Sequence, residues 1–170
     1  MTKNITFREP EVTDAKTIVD FYNQVGGETF YLSFGKDEYP LSVKALKEEI
    51  ASVKESSNNI MILALDGDKI VCIGTISSTA KVKGRHVGEL GIVVTEEYQG
   101  QGIGTEMIKR LIAWSKGNGI TTKIQLDTLE VNKKAVKLYQ DFGFEIEGNL
   151  RNSTLYDGKY YNLLVMGLML

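Results

Sequence analysis

A short segment of this chain combines three glycines with the start of a helix. Gly100, Gly102 and Gly104 lie between an apolar, β-branched stretch and a stretch whose apolar residues recur with helical spacing. The first N–H groups of a helix have no partner within it, and the helix dipole adds partial positive charge there. Because glycines allow close approach to the backbone, the pattern predicts a site for phosphate oxygens. A ligand-free glycine turn is the simpler alternative.

The glycine spacing excludes two common phosphate loops. The dinucleotide-binding loop requires Gly-x-Gly-x-x-Gly, and the P-loop ends in Gly-Lys-Ser/Thr. This chain has Gly100-x-Gly102-x-Gly104 with no lysine after it. Residues 99–104 fit a different pattern, Gln/Arg-x-x-Gly-x-Gly/Ala.

A second motif begins at Asn132. Its residues follow the pattern Asn-x-x-Ala-x-x-x-Tyr-x-x-x-Gly-Phe, met by Asn132, Ala135, Tyr139, Gly143 and Phe144. The spacing predicts a short helix that Asn132 caps and Gly143 ends. From its position alone, Tyr139 is a core tyrosine at helical spacing.

Composition and charge exclude several classes of protein. The length of 170 residues suits one domain spanning residues 1–170, and the net charge of −2 gives no overall attraction to nucleic acid or anionic membrane. The single Cys72 fits a reducing, cytoplasmic compartment, and one cysteine with one histidine provides no metal-ligand cluster. The N-terminus has no apolar signal core, and residues 163–170 are too short an apolar run to span a bilayer.

The elements that position the motifs follow from hydrophobic periodicity. Antiparallel hairpins come first, with strands at residues 60–65 and 70–76, and helix crossovers come later. The strands at 87–94 and 123–129 flank a helix and should be parallel. This order favours a mixed α/β sheet with helices on both faces over a doubly wound fold. Gly26 and Gly27 are expected to end the first helix.

Together the two motifs resemble those of the GNAT family of N-acetyltransferases, which bind acetyl-coenzyme A. The defining matches lie within residues 87–144. The C-terminal strand also resembles the bacterial branch that acetylates ribosomal-protein N-termini. The resemblance implies a mostly antiparallel sheet with a parallel pair splayed at the cofactor site. It also implies acetyl transfer to a primary amine by direct attack in a ternary complex, with acetyl-coenzyme A as cosubstrate and no metal.

The resemblance also assigns site residues. The implied cofactor contacts are Ile92, Val93, Val94, Gln99, Gly100, Gln101, Gly102, Ile103, Gly104, Thr105, Asn132 and Tyr139. Tyr139 would protonate the leaving thiolate, the Val94 N–H would meet the oxyanion, and Glu89 is the candidate base for the amine. Asn132 as a helix cap alone, and Glu89 as a paired or solvated strand carboxylate, are the open alternatives.

The acceptor amine is not specified by these motifs. A small amine, an antibiotic, an amino acid and a peptide N-terminus all stay open. Residues 26–41 and 149–159 are expected to border its cleft, although the aromatic residues there fit a lid on the core equally well. Candidate contacts are Glu28, Tyr31, Tyr39, Arg151 and Tyr156.

The sequence leaves two other functions open and suggests an assembly. A coenzyme A-binding regulatory module would share the fold without turnover. A nucleotide-binding oxidoreductase would use Asp127 as the ribose acid, but both the glycine spacing and the strand order are wrong for it. A homodimer is expected by analogy, with the apolar last strand as a sheet edge.

Overall fold

The computed structural model describes residues 4–170, which form an open sheet with helices on both faces. Two of the sequence predictions, the domain at 1–170 and the lack of an apolar signal core, include residues 1–3. These three residues lie outside the described part of the chain. The strands are β1 (Ile5–Arg8), β2 (Ile60–Asp66), β3 (Lys69–Ser77), β4 (Val87–Val94), β5 (Lys123–Leu129), β6 (Glu145–Tyr156) and β7 (Lys159–Met169). The helices are α1 (Ala15–Glu28), α2 (Val43–Glu55), α3 (Ile103–Gly117) and α4 (Lys133–Asp141).

The strand order is β1-β2-β3-β4-β5-β7-β6. β4 and β5 are parallel, and the other neighbouring strands in this order are antiparallel. The mixed sheet, the parallel pair and the hairpin between β2 and β3 are therefore confirmed. Within residues 4–170, no helix has the length and apolar character needed to cross a bilayer.

Alternation along the strands divides the core into two layers. One layer joins α3 and α4 to the sheet and includes Leu90, Met107 and Tyr139. The other layer joins α1 and α2 to the sheet and includes Ile18 and Leu46. The central strand β4 thus has one face toward α3 and α4 and the other toward α1 and α2.

The end of α1 differs from the prediction. The helix continues through Gly26 and Gly27 to Glu28. A Cβ on Gly26 would lie 2.3 Å from the carbonyl oxygen of Gly35, and a Cβ on Gly27 would lie 3.1 Å from the Lys36 side chain. These glycines therefore permit the following segment to pack against the last turn, rather than stopping the helix.

The edge of the sheet also differs from the prediction. The apolar strand β7 lies between β5 and β6 and pairs with both, so it is not an edge. Its apolar character follows from this interior position. The edge strand at this end of the sheet is β6, which has 12 residues. Most of its side chains are exposed, including Ile146 and Leu150.

Candidate active site

A gap opens between the parallel strands β4 and β5. Residues 87–89 pair with residues 123–125, and no further pairing joins the two strands within residues 4–170. Beyond that point β4 continues along β3, while β5 continues along β7. The two strands therefore separate toward their C-terminal ends, as the fold prediction expected.

The ladder between β3 and β4 decides which backbone groups face this gap. Thr95 N–H donates to the Val71 carbonyl at 3.0 Å, and Val94 lies opposite Cys72. Hydrogen-bonded and non-bonded pairs alternate in an antiparallel ladder. Ile92 and Val94 therefore direct their N–H and C=O groups toward the gap. Val93 directs its own toward β3, so its backbone is turned away from the predicted cofactor position.

The glycine loop leads from β4 into α3. Gly100 has φ +74° and Gly102 has φ +83°, conformations that favour glycine. Gly102 is the N-cap of α3, and no side chain of residues 4–170 caps it. By contrast, Ser42 caps α2 and Asn132 caps α4 with their side chains. The N-terminus of α3 thus keeps its backbone N–H groups available, as an anion site requires.

Two glutamine side chains stabilise the glycine loop by donating hydrogen bonds to backbone carbonyls. The Gln99 side-chain amide donates to the Val94 carbonyl at 3.1 Å, and that of Gln101 donates to the Glu97 carbonyl at 2.8 Å. Tyr98 donates its hydroxyl to Asp66 at 2.8 Å. The Val94 carbonyl is therefore engaged by Gln99, whereas its N–H points into the gap. This arrangement preforms the loop through residues 99–105, including Ile103, Gly104 and Thr105.

Asn132 adopts the capping role that its motif predicts. Its side-chain oxygen accepts a hydrogen bond from Ala135 N–H at 3.3 Å. The cap holds the start of α4 at the end of β5, on the opposite side of the gap from β4. The side-chain oxygen is thus used within the protein, which leaves the amide group for any ligand contact.

Tyr139 lies on α4, and its side chain belongs to the core layer between the sheet and the helices α3 and α4. It is 8% exposed and packs edge-on against Phe144, with ring centroids 5.8 Å apart. Burial, with a smaller contribution from the nearby Cys72, raises the pKa of Tyr139 to about 12. The phenol therefore keeps its proton throughout the neutral range and can act as a donor.

Glu89 lies on β4 at the last paired position before the gap, and its side chain is exposed. Alternation places Glu89 on the same face as Val93, which packs with the α1 and α2 layer. Tyr139 belongs to the opposite layer. The two candidate catalytic residues therefore lie on opposite faces of the sheet, beside the same opening.

A cavity of about 950 Å³ lies between the end of α1 and the β6–β7 hairpin. We call it the aromatic cleft, and its lining is residues 26–36, Glu38 and residues 153–156. Phe30 stacks on Tyr156 with centroids 4.9 Å apart and an interplanar angle of 15°. Phe30 also lies 5.3 Å from the ring of Tyr161. Ring contacts thus join two segments that are far apart in sequence.

Glu28 connects the aromatic cleft to the glycine loop. Glu28 lines the cleft, and its carboxylate accepts a hydrogen bond from Glu96 N–H at 2.9 Å. Glu96 begins the short 3-10 turn that precedes Gln99. The other carboxylate oxygen accepts from the Gln24 side chain at 2.7 Å. One side chain therefore reaches both regions and places a negative charge between them.

The acetyltransferase (GNAT) family model matches residues 24–144. A solved structure of a GNAT-family acetyltransferase from Streptococcus pneumoniae is 32% identical, with a TM-score of 0.95 over 98% of this chain and 100% of that chain.

This chain belongs to the acetyltransferase (GNAT) family.

Two further relatives show how broad the likeness is. The L-amino acid N-acetyltransferase of Escherichia coli K12 is 26% identical over 62% of this chain and 65% of its own length. A ribosomal-protein-alanine N-acetyltransferase structure from Brucella melitensis is 19% identical, with a TM-score of 0.83 over 97% of this chain and 99% of that chain. The chain covers less than two thirds of the first curated relatives' lengths, here 65%.

Three of the residues predicted to contact the acceptor come together in this GNAT chain. Glu28, Tyr31 and Tyr156 line the aromatic cleft. Tyr39 instead stacks on Tyr22 with centroids 4.5 Å apart and packs with the second core layer. Arg151 lies outside the lining. Phe30 and Ser153 fall within the two segments predicted to border the cleft, residues 26–41 and 149–159, and both line it. The residue type of Ser153 gives no signal of its own, because its place in the lining depends on how β6 folds back.

No group of three or more His, Cys, Asp or Glu side chains suited to a metal ion occurs in residues 4–170. Cys72 is fully buried, and burial raises the pKa of its thiol to about 12. A thiol held neutral in this way is not an activated nucleophile.

Proposed function

We propose that this protein transfers an acetyl group from acetyl-coenzyme A to a primary amine. The observation that carries the proposal is the gap between β4 and β5 together with the start of α3 beside it. Gly102 is the N-cap there, and no side-chain hydrogen bond from the described residues caps the helix. Family membership supports the same reaction. We assign the activity to one acetyltransferase domain over residues 1–170.

The glycine loop and the end of β4 would hold the cosubstrate. Backbone N–H groups of residues 100–105 would bind the pyrophosphate at the N-terminus of α3. Ile92 would pair with the amides of the pantetheine arm, much as a further strand would, and the Val94 N–H would face the thioester end of that arm. The Asn132 side-chain amide would bind the arm from the opposite side. Val93 would hold β4 against β3 through its backbone hydrogen bonds and would make no backbone hydrogen bond to the cosubstrate.

The amine must lose a proton before it attacks. Holding a lysine-like amine of pKa ~10.4 neutral at pH 7 costs roughly 4–5 kcal/mol, whereas an α-amine near ~8 costs only about 1. We propose Glu89 as the base, directly or through one water, because its exposed carboxylate stands at the opening on the face toward α1 and α2. The cost favours an α-amine as acceptor.

The transfer step then needs a donor for the leaving sulfur. The amine nitrogen forms a bond to the thioester carbonyl carbon, and the Val94 N–H would meet the oxyanion. The attacking nitrogen, positively charged once its bond forms, gives up a second proton to solvent. The C–S bond breaks as the carbonyl re-forms, the sulfur would take the proton of Tyr139, and the phenolate then regains a proton from solvent. Because Glu89 and Tyr139 lie on opposite faces of the sheet, the amine would approach the carbonyl carbon from the Glu89 face and the sulfur would leave toward Tyr139.

The pKa values near Tyr139 suit this transfer. Burial raises the pKa of Tyr139 to about 12 and that of the Cys72 thiol in the same core layer to about 12. A leaving thiolate shielded from water as fully as Cys72 would be about as basic as the Tyr139 phenolate, and the proton transfer to it would then be nearly balanced. For a thiol of ordinary pKa ~8.5 the same transfer would be uphill by roughly 5 kcal/mol.

We propose the aromatic cleft as the acceptor site. It lies on the same side of the sheet as α1 and contains the carboxylate of Glu28, which would attract a protonated amine before the reaction. An amino acid or a peptide N-terminus is our first choice, in line with the relatives named for L-amino acids and ribosomal-protein alanine. A peptide N-terminus is also the acceptor of the bacterial branch that the C-terminal strand resembles, the one that acetylates ribosomal-protein N-termini.

Location and assembly are part of the same proposal. A buried, reduced Cys72 suits a cytoplasmic protein. The exposed apolar residues of the edge strand β6, such as Ile146 and Leu150, would provide the contact of a homodimer. The net charge of −2 supports a small-molecule or peptide acceptor rather than nucleic acid or membrane.

Thermal unfolding with acetyl-coenzyme A, NAD and ATP in parallel is the test. A ligand of the native state at about a hundred times its dissociation constant adds roughly 2.7 kcal/mol, which should raise the midpoint by several degrees. Acetyl-coenzyme A should give the largest shift, and an amine should then release free thiol. A larger shift with NAD would contradict the proposal. Binding without thiol release from any amine would favour the regulatory module.

A further inference from the structure

The edge strand β6 is interrupted where it meets the aromatic cleft. Leu150 pairs with Leu163, and the next aligned pair is Thr154 with Tyr161. Residues 151–153 therefore lie opposite Asn162 alone. Asn152 has φ +52°, a left-handed conformation that asparagine tolerates better than most residues. This is a β-bulge, which bends a strand and increases its twist.

Asn162 holds the bulge with both ends of its side chain. Its side-chain oxygen accepts from Asn152 N–H at 3.1 Å, and its amide donates to a Glu130 carboxylate oxygen at 3.0 Å. The backbone closes the arrangement, because Glu130 N–H donates to the Asn162 carbonyl at 3.0 Å. The bulge is thus fastened to the residue that follows β5.

The bulge directs one wall of the aromatic cleft. Residues 153–156, immediately after Asn152, form that wall. Phe30, on the facing segment, stacks on Tyr156 at 4.9 Å and lies 5.3 Å from Tyr161. If Asn152 returned to a regular strand conformation, the wall would shift and these ring contacts would be lost.

The other end of the arrangement, Glu130, lies just before the helix that carries the candidate catalytic tyrosine. Glu130 is two residues before Asn132, which caps α4, and α4 carries Tyr139. The contact between Asn162 and Glu130 therefore relates the cleft wall to the element that would face the thioester sulfur.

We propose that Asn162 is a positioning residue for the acceptor, acting with Glu130. The two residues place the wall at 153–156 relative to Tyr139, and thereby set the binding and alignment of the amine without contributing to acetyl-coenzyme A binding. This inference rests on the acetyl-transfer function proposed above.

Steady-state kinetics of Asn162→Leu, which lacks both side-chain hydrogen bonds, tests the proposal. We expect the KM for the acceptor amine to rise about tenfold, or kcat/KM for it to fall by that factor, because two side-chain hydrogen bonds that fix the bulge are lost. The dissociation constant of acetyl-coenzyme A should change less than about twofold. Glu130→Gln keeps an oxygen that can accept from Asn162 and should stay near wild type. Asn149→Ala is the matched control, since its amide reaches Glu130 only at 3.5 Å.

Hydrogen exchange provides a second readout that does not depend on activity. Exchange of the Asn152 amide and of residues 153–156 should accelerate in Asn162→Leu and not in Asn149→Ala. If Asn162→Leu misfolds, Asn152→Val tests the same bulge through strain at its φ of +52°, with Asn152→Gly as the tolerated control.

The outcomes separate this inference from the function beneath it. Wild-type protein that neither binds acetyl-coenzyme A nor releases thiol contradicts the proposed function. Active wild-type protein whose Asn162→Leu variant keeps its acceptor KM and its exchange pattern overturns the positioning role. An equal loss of acetyl-coenzyme A binding would also overturn it.

Discussion

The glycine loop and the aromatic cleft are built in different ways. The loop and its flanking elements come from one continuous stretch, and its shape depends on the left-handed φ values of Gly100 and Gly102. The cleft brings residues 26–38 together with residues 153–156, and its shape depends on rings and carboxylates. One region would bind through backbone groups, whereas the other would bind through side chains.

This difference explains what each region can tolerate. A site made of backbone N–H groups requires a local conformation, which a few glycines provide. A site made of side chains requires that several elements be held at the right distance. The contact between Glu28 and Glu96 N–H is one place where the two regions depend on each other.

The largest effect on turnover is expected at Tyr139, which lies on α4 in the core layer shared with the helix that follows the glycine loop. Tyr139→Phe removes the proposed donor to the leaving sulfur and should lower kcat about a hundredfold or more, with acetyl-coenzyme A affinity unchanged. Tyr22→Phe, in the other core layer, is the control. Turnover of Tyr139→Phe at the wild-type rate would remove this residue from the mechanism.

The next effect is expected at the glycine loop itself. Gly102→Ala places a side chain at φ +83°, which costs roughly 1–2 kcal/mol. We expect the free loop of the variant to relax out of this conformation, so that restoring it on binding lowers the acetyl-coenzyme A affinity about tenfold. Gly117→Ala, near the end of the same helix, should leave the affinity unchanged. Calorimetry compares the two variants, and equal affinities would show that the loop conformation is not used in binding.

Alkaline pH should lower the folding stability, and the buried Cys72 thiol should contribute to this loss. The pKa of the Cys72 thiol rises from 9.0 to about 12 on folding, so the unfolded chain loses its proton first as pH rises. Stability should therefore fall above pH ~9, by about 1.4 kcal/mol at pH ~10. Cys72→Ala should lack this part of the slope between pH ~8 and ~10.

Tyr39→Phe is the control for this pH dependence. Burial raises the pKa of Tyr39 to about 12 from an ordinary value of 10.0, so its titration begins at higher pH. Denaturant unfolding at several pH values measures the slopes. Identical slopes in Cys72→Ala and wild type would contradict the role assigned to the buried thiol.

The smallest effect is expected in the aromatic cleft. Phe30→Leu removes the stacking on Tyr156, and aromatic pairs contribute about 0.5–1.5 kcal/mol, so the acceptor KM should rise about two- to tenfold. Acetyl-coenzyme A affinity should not change. Phe7→Leu, on β1, removes a ring far from the cleft in the sheet order and serves as the control. A change in cosubstrate affinity alone would argue against the assignment of the cleft.

Prediction from the sequence succeeded where a local signal decides the structure. The strand, glycine loop and helix at residues 87–117 and the cap at Asn132 follow from residue types within a few positions of one another. It failed at Gly26 and Gly27, because the reason for those glycines is the approach of Gly35 rather than the end of a helix. The roles of Asn162 and Glu130 carry no local signal.

The sequence by itself determined the family motifs, the predicted anion site at α3 and the two candidate catalytic residues, because each depends on spacing along one element. The tertiary structure decided that β7 is interior, that Val93 turns its backbone toward β3, and that Phe30 meets Tyr156. These facts depend on strand order, ladder register and a bulge. The first two are set by backbone hydrogen bonds and the third by a ring contact, in each case between residues far apart in the chain, which no local pattern encodes.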